Sequence, residues 1–303
     1  MTMSTGSRAK FGLITETVFG TTPSTPALAE LPILSSSINL AIEQYRDGGI
    51  HSDGLPRYLV GGNRSVAGTI DVNFAHGQFD TLLESLMQSS FATNVLKKGT
   101  TRKSFTLEEG QLDISQYRVW TGTVVDKMDL TMPASGYITA KFAVVAKDQA
   151  VGAASIDTDG YTPATAKNPL TAKDAAGFIK EGGSTAGYIS NIQLTIDNSY
   201  DKDKYVLGST TVYDFAAKTQ LVTGNLTAFF IDNVMYAKFL NGTASSLDLK
   251  FSDGTNSVEF LIPNIKYSVG TKTFNGNGTV ELQLSFEALY DATSGSNLVI
   301  TRT

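Results

Sequence analysis

Four segments of this 303-residue chain occur twice, in the same order in each half. SSINLAIEQ at 36–44 aligns with SNIQLTIDN at 190–198, and VAGTIDVNF at 66–74 aligns with VTGNLTAFF at 222–230. The first pair places apolar residues at alternate positions (Ile38, Leu40, Ile42 and Ile192, Leu194, Ile196), the pattern of a strand with one buried face. The second pair carries a glycine at the same place, Gly68 and Gly224, and then a strand. A helical stripe follows each: Phe79, Leu82, Leu83, Leu86 and Met87 in the first half, and Ile231, Val234, Met235 and Phe239 in the second. Asp80 and Asp232 stand near the helix starts, where the macrodipole favours a carboxylate. Finally, GYITAKFAVVAKD at 136–148 corresponds to GTVELQLSFEA at 278–288. Their buried faces are Ile138, Ala140, Phe142 and Val144 against Val280, Leu282, Leu284 and Phe286. Ordered repetition of this kind predicts a duplicated, all-β architecture with one helix per unit.

The repeats set the expected boundaries. Residues 1–35, punctuated by Pro23, Pro26 and Pro32, read as an extended N-terminal arm able to reach a neighbour. Residues 36–148 and 188–291 are the two units. Between them, 149–187 is rich in Ala, Gly, Thr and Lys and reads as a linker with a short helix at 172–179. Residues 292–303 form a C-terminal tail. With 41% hydrophobic and 17% charged residues, the chain can fill two cores and keeps a lightly charged surface.

Catalytic and metal chemistry finds little to work with. The absence of cysteine removes disulfides, thiolate metal sites and thiol nucleophiles. His51 and His76 are the only histidines and have no metal-ligand spacing. There is no GxSxG elbow and no phosphate-binding GxxxxGK[ST] loop. NGNG at 275–278 leads into a strand and reads as a hairpin turn, and DTDG at 157–160 reads as a turn and not as a calcium loop. Glu108 and Glu109 read as a solvated loop, and Trp120 as a core or interface aromatic and not a sugar platform. The chain is therefore read as non-enzymatic, with no cofactor and no metal.

No window has the length and apolarity of a membrane span, and residues 1–19 contain no apolar core of signal-peptide length. A soluble protein made in a cytoplasm is the expectation. The formal net charge is −5, which opposes tight nucleic-acid binding. The one dense basic run, Lys97, Lys98, Arg102 and Lys103, reads as a solvated loop.

Each unit also carries a connection of about twenty residues, well beyond the usual length. Residues 45–65 contain Tyr45, Ile50, Leu55, Tyr58, Leu59 and Val60. Residues 199–221 contain Tyr205, Val206, Leu207, Val212, Tyr213 and Phe215. Such apolar material, exposed, needs a partner to cover it, unless it folds back on its own sheet. Because it occurs once per unit, a pair of equivalent interfaces is expected at Tyr45, Ile50, Leu55, Tyr58, Leu59, Tyr205, Val206, Leu207, Val212, Tyr213 and Phe215.

In the order of its elements the chain resembles the major tail tube proteins of long-tailed bacteriophages. The likeness runs through RAKFG at 8–12 with Glu16 and FGT at 19–21, the Ser-rich strand at 35–42, the long connection, the Gly68 and Gly224 strands, the short helix and the final alternating strand. The resemblance implies a β-sandwich, close to a rolled sheet, with a helix at its flank. It also implies rings that stack into a tube, with one sheet of each unit lining a continuous inner barrel and the long loop reaching the adjacent ring. Since most members have one unit per chain and form hexamers, a duplicated chain implies a homotrimer with pseudo-sixfold symmetry. Implied partners are further copies, other tail proteins at the tube ends, and double-stranded DNA in transient passage. The implied location is the virion, after assembly in the bacterial host cytoplasm. A weakly acidic lumen would let DNA phosphates pass without sticking. The readings that compete with this one are a two-domain carbohydrate-binding or adhesion module, and another virion component on the same sandwich.

Overall fold

The computed structural model describes residues 3–303 except 176, 177, 275 and 277. The first half comprises β1 (Ala9–Thr15), β2 (Ala29–Glu30), β3 (Ser35–Ser36), β4 (Asn39–Arg46), β5 (Leu59–Asn73), α1 (Asp80–Met87), β6 (Val95–Lys97), β7 (Phe105–Gln111), β8 (Gln116–Met132), β9 (Thr139–Ala146) and β10 (Asp148–Gly152). The second comprises β11 (Ile179–Glu181), β12 (Ser184–Thr185), β13 (Ile189–Asp197), β14 (Leu221–Phe229), α2 (Val234–Asn241), β15 (Ser245–Ser252), β16 (Ser257–Phe274), β17 (Val280–Ala288) and β18 (Val299–Arg302). The fold is all-β, with one short helix in each half.

The strand order repeats as the sequence does, although β4 sits on β5 two residues away from the register that the sequence alignment with β13 gives, Leu40 opposite Val66 against Ile196 opposite Val222. β1–β7–β8–β10 in the first half answers to β11–β15–β16–β18 in the second. Likewise β4–β5–β9–β8 answers to β13–β14–β17–β16. β8 and β16 are the longest strands, at 17 and 18 residues, and each serves both sheets of its half. Each breaks register at a matching place, between Val125 and Lys127 in β8 and between Tyr267 and Val269 in β16. A bulge there lets one strand bend from one sheet into the other.

The halves are not beads on a string. The C-terminal part of β8 pairs antiparallel with β13 from Lys127↔Asp197 to Met132↔Ile192. One sheet therefore runs β4–β5–β9–β8–β13–β14–β17–β16 through the whole chain. β18 adds a second tie, pairing with β16 of its own half and β6 of the other. The buried residues form a core shared by both halves, with Phe74 and Phe260 packed at 5.8 Å between ring centroids. Phe142, Ile70, Met128 and Leu194 are fully buried, each contributing roughly 1.5–3 kcal/mol.

Several expectations change. Residues 9–15, placed in an extended arm, lie along β7 over their full length, because Phe11 and Leu13 have apolar cover there. The stretch 149–187 begins within β10 and ends in β11 and β12, and only a 3-10 turn at Ala172–Ala175 occurs where a helix was expected. Residues 176 and 177 of that stretch, and residues 275 and 277 of the turn at 275–278, fall outside the described residues, and Ile179 already begins β11. α2 starts at Val234, leaving Ile231 before it and exposed.

Glu108 and Glu109 are not a solvated loop but buried residues of β7. Glu108 accepts hydrogen bonds from Ser155 Oγ at 2.5 Å, Ile156 N at 2.8 Å and Tyr161 OH at 2.6 Å, while Arg118 donates to Glu109 at 2.6 Å. Buried carboxylates survive because each has such partners. The basic run is equally engaged: Lys97 donates to Ser294 O at 2.7 Å, Lys98 to Gln88 Oε1 at 2.8 Å, and Arg102 pairs with Asp214.

The repeated glycines have a shared steric cause. A Cβ on Gly68 would come within 2.4 Å of Ile38 Cα, and one on Gly224 within 2.4 Å of Phe286 Cζ and 2.5 Å of Gln193 O. Gly68→Ala and Gly224→Ala are each expected to lower the unfolding free energy by about 1–3 kcal/mol. Denaturant melts check this, and an unchanged midpoint contradicts the close approach.

Candidate assembly interface

The two long connections behave differently. In the first half, β4 and β5 form a hairpin that runs out from the body, closed by residues 47–58. Its turn is held locally, because no core lies beneath it. Gly49 N–H donates to Asp47 Oδ1 at 2.8 Å, His51 Nε2 lies 3.0 Å from Asp47 Oδ2, and Arg57 donates to Asp53 at 2.8 Å. The His51 hydrogen bond, with that of Gly49, holds the Asp47 carboxyl below its ordinary value. Tyr45, Ile50, Leu55, Tyr58, Leu59 and Val60 are all exposed, Ile50 completely so.

The second connection lies down on the first half. Tyr200, Val212 and Phe215 are buried with Val124 and Val145, and Tyr205 is half-buried beside them. Phe19 meets Phe215 edge-on at 5.7 Å, and the Arg102 guanidinium stacks over Phe19 at 3.9 Å. Backbone bonds complete the seat: Arg64 N–H donates to Thr210 O at 2.7 Å, and Tyr205 OH to Arg64 O at 3.1 Å. Val212 and Phe215 are thus covered by their own chain, whereas Val206, Leu207 and Tyr213 face solvent. A basic or aromatic anchor such as Arg102 or Phe19 lies far away in sequence, so this difference was not legible from the repeat.

Where the halves meet, a buried polar cluster fixes their register. Asn198 donates to Leu86 O at 2.8 Å and Val125 O at 3.3 Å, and Gln220 donates to Leu86 O at 3.2 Å and Asn198 Oδ1 at 3.0 Å. Leu86 is in the last turn of α1, whose carbonyls have no intrahelical partner, so the second half caps the helix of the first. Tyr200 N–H adds a bond to Asp126 Oδ1 at 2.8 Å, and Gln88 Nε2 donates to Tyr200 OH at 2.9 Å. Burial pushes the Tyr200 hydroxyl up to about 12. Sequence reasoning missed Asn198 and Gln220, since a buried amide looks like any other polar residue until its carbonyl partner is placed.

The continuous sheet has one apolar face and one polar face. Across the polar face, one row of paired positions reads Asp71, Lys141, Asp129, Thr195, Thr223 and Glu287. Lys141 lies 3.7 Å from Asp71, and Thr195 Oγ1 donates to Asp129 at 2.7 Å. The outer margins of this sheet are open: among the described residues β4 pairs only with β5, and residues 266–274 of β16 pair only with β17.

Trp120 is fully buried and donates to Gln149 Oε1 at 2.8 Å, so its ring is not available to a sugar. Among the described residues no group of three His, Asp or Glu side chains is placed to hold a metal ion, and no helix is long and apolar enough to cross a membrane.

Open sheet margins and a projecting apolar hairpin are surfaces that a second molecule can cover. Residues 6–288 match the family of phage tail tube proteins, and the chain belongs to that family. This makes it a structural protein of the bacteriophage virion, one that assembles with further copies into a tail tube. A search of curated proteins gives no significant match.

Removing the junction amide has a defined expected cost. Asn198→Ala leaves Leu86 O and Gln220 short of partners in a buried site and is expected to destabilise the chain by about 1–3 kcal/mol. A denaturation midpoint indistinguishable from the parent would show that the cluster does not hold the halves in register.

Proposed function

We propose that three copies of this chain close into a ring of six similar units, and that such rings stack into the tube through which DNA leaves the virion. On this reading the repeated strands of the two units lie within residues 36–148 and 188–291, with β1 and β10 completing the first unit and β11 and β18 the second. The observation that carries this reading is the β8–β13 ladder. It joins one unit to the next within the chain, and it leaves a matching pair of unpaired edges, β4 and β16, at the two ends of the sheet. Open edges invite further strands, and a head-to-tail contact that closes on itself makes a ring.

The polar face supports the conduit role. Its cations stand beside carboxylates, as Lys141 beside Asp71 and Lys127 beside Asp129 at 3.0 Å, which weakens their pull on phosphate. The projecting turn with Ile50, Leu55, Tyr58 and Leu59, helped by exposed Val206, Leu207 and Tyr213, supplies apolar surface for the next ring.

Electron microscopy of the concentrated protein is expected to show hollow tubes or stacked rings. Deleting residues 48–59 is expected to abolish tubes while leaving a soluble protein with the parent's circular dichroism spectrum. Tubes of unchanged length after that deletion would remove the hairpin from the stacking contact, and monomers alone at high concentration of the intact chain would defeat the ring itself.

A further inference from the structure

His76 stands in the turn between β5 and α1, at a place where the two halves meet. On one side the turn is tied to the stretch 163–170. Leu170 N–H donates to Phe74 O at 2.8 Å, and Gln78 Nε2 donates to Thr165 O at 2.7 Å. On the other side lies the second half, where Arg302 of β18 pairs with Asp80, stacks over Phe91 at 4.1 Å and donates its N–H to Asn94 O at 2.9 Å. Both ring nitrogens of His76 are shielded from solvent, and neither has a hydrogen-bond partner among the described residues. A neutral imidazole bears that placement at modest cost, whereas an imidazolium brings a charge and two N–H donors to satisfy.

The charged groups around the ring come from four elements. Lys167 belongs to the stretch 163–170, Arg302 to β18 and Asp253 to the β15–β16 turn, and Asp80 opens α1 beside Arg302. Both carboxylates are engaged elsewhere. Asp80 holds Arg302. Asp253 accepts from Asn256 N at 2.7 Å, Thr255 N at 2.9 Å and Asn256 Nδ2 at 3.1 Å, which brings its pKa down to about 2. Burial, and then the charges of Lys167 and Arg302, lower the pKa of the His76 ring from its ordinary value, with Asp253 opposing them.

We infer that His76 makes the tie between β18 and β6 a pH-sensitive latch, closed while the ring is neutral and loosened when a proton places a third cation beside Lys167 and Arg302. β18 is the element to yield, because β6 offers it only three residues and Arg302 is its crossing contact. The unfolded chain takes up the proton more readily than the folded one. The stability that neutral His76 supports is therefore complete above about pH 6.5, the ring's ordinary value, and is lost as the pH falls below it. The latch is a property of the single chain and does not rest on the tube reading.

Hydrogen exchange of the unassembled chain, corrected for the intrinsic effect of pH on exchange, tests this at about pH 7.5 and about pH 5.5, on either side of that value. Protection of residues 95–97 and 299–302 is expected to fall by about three- to tenfold in acid, while residues 127–132 and 192–197 of the β8–β13 ladder keep theirs. His76→Gln is expected to remove the fall, and His51→Gln to leave it as in the parent. In the intact chain the ring resonances of His76 are expected to titrate below about pH 6.5. Equal protection of 299–302 at both pH values, or an equal fall in His76→Gln, overturns the latch. So does a His76 ring that titrates at or above its ordinary value.

Discussion

The backbone ladder between β8 and β13 is the constraint on which the rest depends. It turns two similar units into one sheet, gives that sheet a continuous apolar face, and puts the hydrophobic side chains of both halves into a shared core. A ladder alone can slip, and a one-residue slip would exchange the apolar and polar faces. The Asn198–Gln220–Leu86 cluster opposes that. Its donors meet a helix-terminal carbonyl in only one register, and a buried amide displaced from its partner is costly.

The second dependence runs outward. The end of α1 is covered because a strand and its following loop from the neighbouring unit lie against it. α2 has the same sequence position and the same kind of cap, yet it exposes Val234 and Leu240. The difference between the helices is thus one of neighbours and not of local propensity. The same holds for the two long connections. Tyr200 and Phe215 find Phe19, Val124 and Val145 to pack against, while the turn at 47–58 is organised by its own Asp47 and Asp53 and by local backbone bonds.

Much of this was legible in the sequence, and the reasons are physical. Strands with one buried face announce themselves by alternation, so Ile138, Ala140, Phe142 and Val144 were readable as core residues. The repeated glycines and the stripe from Phe79 to Met87 were equally readable, since each reflects a local steric or periodic demand. What escaped depends on distant contacts. Glu108 is buried only because Ser155, Ile156 and Tyr161 come to it, and Lys98 and Arg102 are engaged only because Gln88 and Asp214 are near. Residues 9–15 read as an arm, being cut off from the repeats by a Pro-rich stretch, yet their Phe11 and Leu13 fit the face of β7.

Joining two units by a peptide linker also changes how a closed assembly would respond to dilution. Were three such chains to close a ring, every other seam would be made during folding, at an effective concentration fixed by the tether and not by the solution. Only the alternate seams would be subject to mass action. Thinning the protein would therefore release whole two-unit pieces, each with its internal seam intact, and never a lone unit.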